Sequence, residues 1–295
     1  MNSCKSTPKV MVTGATGQLG GLAISALLQR LDPNQIAALV RPKKEADARV
    51  SKLDQLGIET READYEDPAA LRQAMSGIER LLFVSSNSFE PRRTQHQNVI
   101  DAAQASGVKF IAYTSILNAQ DTPLVLTTDH RETEDMLTSS GIDHVVLRNG
   151  WYLENHLNGV QQALKDGFIA GAAANGRFSS AGRADYAAAA AVVIHPDFVP
   201  SRQVFELAGD ASYSLNDLAA ALSEQFNTDI RYRNMDAEAF RTTLEAHNLP
   251  QTLTSILVDT DLCAADGALE DANGTLGDLI GRPTLSLADA LSASP

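Results

Sequence analysis

The stretch Thr13-Gly14-Ala15-Thr16-Gly17-Gln18-Leu19-Gly20-Gly21 follows the apolar run Val10-Met11-Val12 and precedes a segment with apolar residues at helical spacing. Its glycines stand in a GxxGxxG pattern. Such glycines permit a tight strand-to-helix turn, close approach of backbone to a pyrophosphate, and close helix–strand packing. The helix that follows offers free N–H groups and the positive end of its dipole to phosphate oxygens. No Gly-Lys-Ser/Thr follows, so the turn is not a P-loop. Residues Gly14, Ala15, Thr16, Gly17, Gln18 and Leu19 are the first candidates for cofactor contact.

Outward from that turn the chain alternates. Short strand-like runs recur at Ile36–Val40, Leu81–Val84, Phe110–Tyr113 and Val145–Leu147, with a weaker, partly charged one at Ile58–Arg61, and helix-like segments such as Leu22–Arg30 and Asn98–Ser106 lie between them. Nearly continuous apolar runs suit strands buried on both faces of a parallel sheet. Gly57-Ile58, Gly77-Ile78, Gly107-Val108 and Gly141-Ile142 each fall between a helical segment and a strand. Glycine takes the left-handed turn after a helix, and the apolar residue behind it packs back on that helix. The expected class is α/β, a doubly wound parallel sheet of the Rossmann type with a smaller, mostly helical C-terminal lobe. The expected division gives residues 1–152 to a dinucleotide domain, to which 181–210 return. Residues 153–180 and 211–295 form the covering lobe. In the latter half, 171–176 read as loop, Asp185–Ile194 as a buried Ala-rich helix and Val204–Leu207 as a strand. Ser214, with Asp217 three residues on, reads as a helix start, and helices are expected around Glu238–Ala246 and Thr252–Cys263.

Composition narrows the function. The 295 residues carry 24 Lys+Arg against 37 Asp+Glu, a formal net charge of −13. That balance disfavours nucleic acid or an anionic membrane as a partner. The longest wholly apolar run, Ala187–Ile194, is far short of the roughly 20 residues that span a bilayer. Two distant cysteines, Cys4 and Cys263, make no disulfide framework, and the N-terminus has no apolar signal core. A cytoplasmic location is therefore expected, with homo-oligomerisation left open. The six histidines form no HxxxH or HExxH, so no metal is expected.

The strand ends specify the ligand further. A site for NAD places a carboxylate after the second strand to bond the ribose 2′-hydroxyl, whereas this chain has Val40-Arg41-Pro42-Lys43-Lys44. Arg41 suits the 2′-phosphate of NADP; Lys43 and Lys44 read more readily as a solvated basic loop. Asp64, after the third strand, is expected beside the adenine. Val84, Ser85, Ser86, Asn87, Ser88 and Phe89, after the fourth, run past the ribose and pyrophosphate.

None of Tyr65, Tyr113, Tyr152, Tyr186, Tyr213 and Tyr232 has a lysine four residues on. The Tyr-x-x-x-Lys pair that manages the proton in alcohol–ketone chemistry is absent, which turns the reading toward a strongly electrophilic acceptor such as a quinone or a cationic dye. Asn149 could bond the nicotinamide ribose or carboxamide. Trp151, the only tryptophan, and Tyr152 could wall a flat substrate pocket, or Trp151 could simply pack between lobes. His130 reads either as a proton donor or as a surface residue at a helix start. Arg183-Ala184-Asp185-Tyr186 reads either as part of the site or as a capping turn with an Arg–Asp pair.

Together, Thr13–Gly20 (TGATGQLG), Ala63-Asp64-Tyr65, Val108–Ser115 (VKFIAYTS), Leu147–Tyr152 (LRNGWY), Arg183–Ala190 (RADYAAAA), Glu206–Asp210 (ELAGD) and Leu279–Thr284 (LIGRPT) make the chain resemble the NmrA-like, atypical short-chain dehydrogenases. Within them it is most similar to the flavin-free bacterial quinone oxidoreductases, with triphenylmethane dye reductases as relatives. The resemblance covers almost the whole chain. It implies NADPH as hydride donor and a small quinone as acceptor, with Gly14 to Leu19 and Arg41 on the cofactor's phosphates. It also places Val84 to Phe89, Asn149, Ala181, Gly182, Arg183, Ala184, Asp185 and Tyr186 along the rest of the cofactor. Asn149, Tyr152 and His130 would be the catalytic candidates. The alternatives are an NmrA-type redox sensor that binds dinucleotide without turnover, and a reductase of another planar acceptor. The chain departs from the family by a longer N-terminal extension and by extra residues around Lys44–Ser51.

Overall fold

The computed structural model describes residues 9–42, 47–88 and 91–293. The central strands are β1 (Val10–Val12), β2 (Ile36–Val40), β3 (Glu59–Glu62), β4 (Arg80–Phe83), β5 (Phe110–Ile116) and β6 (Asp143–Asn149). Between them run α1 (Gln18–Leu27), α2 (Ala48–Gln55), α3 (Pro68–Ala74), α4 (Arg92–Ala105) and α5 (Thr127–Ser140). The chain continues through α6 (Leu153–Leu157), α7 (Val160–Asp166), β7 (Phe168–Gly171), β8 (Arg177–Phe178), α8 (Arg183–Ile194), β9 (Val204–Leu207) and β10 (Tyr213–Ser214). It ends with α9 (Leu215–Phe226), β11 (Arg231–Asn234), α10 (Ala237–Ala246), α11 (Gln251–Ala265), α12 (Thr275–Ile280) and α13 (Leu287–Ala293).

Seven strands form one sheet in the order β3-β2-β1-β4-β5-β6-β9. The pairs β1–β2, β2–β3, β1–β4 and β4–β5 are parallel. The order reverses between β1 and β4, the switch point at whose carboxyl ends such sheets bind ligands. β1, β2 and β5 are buried at every position, which is why they read as unbroken apolar runs. β3 is an edge strand of sequence Glu-Thr-Arg-Glu with no fully buried residue, so its sequence signal is weak. It starts one residue later than expected, because Ile58 packs back on α2: its N–H bonds the Leu53 carbonyl at 3.2 Å. Gly57, Gly77, Gly107 and Gly141 all have φ between 71° and 78°, the left-handed turn their positions require.

The chain forms two compact units. The first comprises the described residues up to Ser115 together with 129–147 and 186–205; the second comprises 116–128, 148–185 and 206 onward. β5, β6, β9, α5 and α8 pass from one unit to the other. The first unit's core gathers Met11, Leu39, Leu71, Leu81, Phe83, Val99, Ile111 and Tyr113 from the sheet and its helices. The second unit's core gathers Ile116, Leu153, Phe178, Tyr213, Leu218 and Leu222.

Residues 171–176, expected as loop, are only partly so. Gly171 ends β7, which pairs in parallel with β11 some sixty residues later. Neither strand shows an apolar alternation, so the pairing leaves no local trace. The helix at Ser214 forms as expected: its Oγ accepts from the Asp217 N–H and the Asp217 carboxylate accepts from the Ser214 N–H. No described helix is long and apolar enough to cross a membrane.

Candidate functional site

In the first unit, Gly14 leaves β1 with φ +58°, and its carbonyl accepts the Gly17 N–H at 2.8 Å. A Cβ on Gly20 would collide with the Gly14 carbonyl, and one on Gly17 would lie 3.1 Å from it. The turn is therefore drawn as tight as glycine allows. α1 begins at Gly17 without a side-chain cap, and the N–H groups of Gln18, Leu19 and Gly20 have no partner among the described residues. Three converging donors at a helix start form a cradle for a phosphate.

The Arg41 side chain is largely exposed at the end of β2 and pairs with Asp64, Nε to Oδ2 at 3.3 Å. Both residues are thus at one edge of the sheet, as their strand ends dictate. A further cation, without a signal in the sequence, reaches the glycine-rich turn. Arg49, in the first turn of α2, donates from Nη1 to the Thr16 carbonyl at 3.0 Å while the Asp47 carboxylate grips its other nitrogens. Arg49 belongs to the extra residues around Lys44–Ser51. Lys43, Lys44 and Phe89 lie outside the described residues.

The segment after β4 is fixed by side chains from three directions. Thr13 Oγ1 accepts the Val84 N–H at 2.9 Å and Thr114 Oγ1 accepts the Ser85 N–H at 3.0 Å. His96 Nε2, on α4, accepts the Ser86 N–H at 3.0 Å. That bond assigns the proton to His96 Nδ1, which donates to Thr133 Oγ1 at 2.8 Å. Ser86 Oγ donates to Gln95 at 2.6 Å, accepts the Ser88 N–H at 3.1 Å, and Arg92 Nε holds the Ser88 carbonyl at 3.1 Å. Asn87 is left exposed at the crest. Burial lowers the His96 pKa to about 3, so the ring stays a neutral acceptor.

His130 is neither a surface residue nor a ready cationic proton donor. It is 8% exposed, and its Nδ1 lies 2.7 Å from the Tyr113 hydroxyl. Burial first, and then the Arg92 charge, push its pKa well below the usual imidazole value. Helical spacing turned this first-turn position of α5 inward, against β5. Ser115 Oγ, likewise, is engaged by Glu134 at 2.6 Å.

In the second unit, Asn149 closes β6. Its Nδ2 donates to Tyr152 Oη at 3.3 Å, and its Oδ1 is buried without a partner. A buried acceptor left unpaired is costly unless a ligand or water serves it. Tyr152 makes an isolated bridge to Ala181 and lies 4.8 Å under the Arg183 guanidinium. Desolvation raises its pKa, so the phenol is a hydrogen-bond donor at neutral pH. The Arg183 N–H donates to Glu154, and its side chain reaches Asn155 at 2.6 Å. The expected Arg–Asp pair is formed by other partners: Asp185, 1% exposed, takes Arg282 at 2.7 Å and the Leu285 N–H at 2.9 Å. Gly182 lets Leu285 approach, where a Cβ would meet its Cδ2 at 3.1 Å. Ala184 is exposed, while Ala181 and Tyr186 are fully buried. Trp151 packs against the second unit's core, its Nε1 buried without a partner.

The match of residues 14–195 to the NAD(P)H-binding family model spans more than half of the chain. The chain belongs to the NAD(P)H-binding, NmrA-like family. It is 46% identical to Quinone oxidoreductase 2 of Escherichia coli, over 96% of this chain and 97% of that protein. The crystal structure of the NADPH-dependent quinone oxidoreductase QOR2 of E. coli complexed with NADPH superposes with a TM-score of 0.92, covering 96% of this chain and 98% of that one at 46% identity. The Citrobacter sp. triphenylmethane reductase complexed with NADP(H) gives 0.91 at 30% identity, over 96% of this chain and 99% of that one. The glycine cradle of the first unit fits the ligand that this family's name describes. No cluster of three or more potential metal ligands occurs among the described residues.

Proposed function

We infer that the protein is an NADPH-dependent quinone reductase that passes hydride directly from the nicotinamide to a small quinone. The near full-length likeness to the E. coli quinone oxidoreductase carries this reading. The second-strand residue supports the choice of NADPH, because a guanidinium attracts the 2′-phosphate that a carboxylate would repel.

The proposed residue roles rest on the strand-end motifs and on the likeness to the family. The N–H groups of Gln18, Leu19 and Gly20, with the α1 dipole, hold the pyrophosphate. Arg41 turns from Asp64 to the 2′-phosphate, leaving Asp64 beside the adenine. Val84 to Asn87, shaped by His96 and Gln95, line the ribose, and Ala181 to Tyr186 complete the cofactor contacts. Asn149 Oδ1, buried without a partner, would accept from the carboxamide N–H. Bound NADPH supplies the hydride; the quinone takes it and one proton to become the hydroquinone. Trp151 and Tyr152 orient the acceptor, and the Tyr152 hydroxyl donates to a quinone oxygen as negative charge gathers there. An acceptor this electrophilic asks mainly for positioning, so the rate enhancement is one of proximity.

The test is direct. NADPH absorbance is followed in the presence of the protein and 1,4-benzoquinone or its alkylated analogues. Turnover above the uncatalysed background is expected, faster with NADPH than with NADH. Absence of turnover with every quinone, alongside intact NADPH binding, would instead favour a dinucleotide sensor.

A further inference from the structure

The second unit contains a cavity of about 520 Å³ whose role the cofactor reading does not use. Its walls include Trp151, Phe168, Leu218, Phe240, Leu244 and Leu257, drawn from β7, α9, α10, α11 and the residues before α6. Among the described residues no lysine or arginine lines it, yet two carboxylates do, Asp166 and Asp261. Asp166 is paired with His247 at 3.4 Å. Asp261 is different. It is 7% exposed, its Oδ2 accepts only the Ala172 N–H at 2.8 Å, and its Oδ1 has no partner among the described residues.

The surroundings preserve this arrangement. A Cβ on Gly171 would fall 2.7 Å from Asp261 Oδ2, so glycine at the end of β7 leaves room for the carboxylate. A carboxylate without a cation in an apolar wall is costly, and burial accordingly raises the Asp261 pKa to about 7. The complement to such a site is a ligand that fills apolar volume and brings its own positive charge. A neutral hydrocarbon would leave the carboxylate uncompensated, and an anionic ligand would be repelled by it.

We propose that this cavity binds a lipophilic primary amine in its ammonium form, with the ammonium on Asp261 and the apolar part against Phe240, Leu244 and Trp151. Binding of the amine needs neither quinone nor NADPH, so its test is separate from turnover, although the cavity shares Trp151 with the residues proposed to orient the acceptor.

Calorimetry with 4-phenylbutylamine and its neutral isostere 4-phenylbutan-1-ol tests it at pH 8, where the amine is charged. The amine is expected to bind at least about tenfold more tightly, the scale of a hydrogen bond to a charged group. Asp261→Asn, which keeps an acceptor for the Ala172 N–H, should bring the two ligands to within about twofold by the same scale. Thr243→Trp, which fills the cavity from α10, should abolish binding of both and covers the case in which Asp261→Asn does not fold. Equal affinity for amine and alcohol in the unaltered protein, no heat with either, or unchanged amine binding in the variants would overturn the proposal.

Discussion

The glycine-rich turn of the first unit and the Asn149–Tyr152 segment of the second both end buried strands, yet they are built on different principles. The turn is made of backbone: a left-handed Gly14, a Gly17 helix start and a Gly20 that nearly touches the Gly14 carbonyl. The segment is made of side chains: an unpaired amide oxygen, a phenol beneath a guanidinium and an indole N–H without a partner. Backbone sites fail abruptly at their closest approach, because a Cβ on Gly20 would sit inside the Gly14 carbonyl. Side-chain sites fail by degrees, because one lost contact leaves the rest in place.

The sharpest way to break that contrast is Gly20→Val. Collision with the Gly14 backbone should cost roughly 100-fold in NADPH affinity, equivalent to about 2.7 kcal/mol, read by calorimetry together with a fall in melting temperature. A variant that binds NADPH within about threefold of the original would mean the turn yields more readily than its geometry allows.

Arg41→Glu tests the same unit through a side chain. The substitution removes a cation and sets a second carboxylate beside Asp64. NADP affinity should fall by roughly 10-fold or more, the scale of a lost charge-assisted bond, while NAD affinity changes little. Equal losses on both dinucleotides would take the 2′-phosphate away from Arg41 and shift attention to Arg49.

Legibility in the sequence follows the same division. The turn was readable because its requirement is glycine at fixed spacing, and the αβ junctions were readable for the same reason. The second unit's β7 and β11 are four residues each and far apart in sequence, so nothing local announces their pairing. His96 gave no signal either. Its role depends on α4 bringing it under Ser86 and on α5 bringing Thr133 to its other nitrogen. His130 reads two ways in the sequence, proton donor or surface residue at a helix start; of these the surface reading fails, because the helical turn aims the ring at Tyr113. Asp261 was invisible because its meaning lies in the apolar walls around it.

Asn149→Ala probes the graded side of the contrast. It removes the orphaned Oδ1 and the bond to Tyr152 in one step. Quinone turnover should fall about tenfold, the worth of a buried hydrogen bond or two, with NADPH affinity lowered less than turnover. A collapse in NADPH binding as large as that of Gly20→Val would erase the distinction between the two segments.

Acid sensitivity gives the smallest effect and divides the units by their buried histidines. His96 and His130 belong to the first; His156, whose Nδ1 meets Tyr213 Oη at 2.7 Å, belongs to the second. Burial lowers the pKa of His156 to about 4, against roughly 6.5 in an unfolded chain. Below pH 6.5 the unfolded state therefore binds the extra proton first, and stability is lost as pH falls toward 4. Asp261 works in the opposite sense. With its folded pKa near 7, its contribution is full below the unfolded carboxylate value and fades as pH rises. Three histidines outweigh one carboxyl over that window, so the melting temperature should drop between pH 7 and pH 5. His156→Gln keeps a polar partner for Tyr213 but cannot take up the proton. It should recover about 1–2 kcal/mol of the loss at pH 5, seen as a shallower slope of melting temperature against pH. An unchanged slope would place the acid response wholly in the first unit, with His96 and His130 beneath the Ser86 loop.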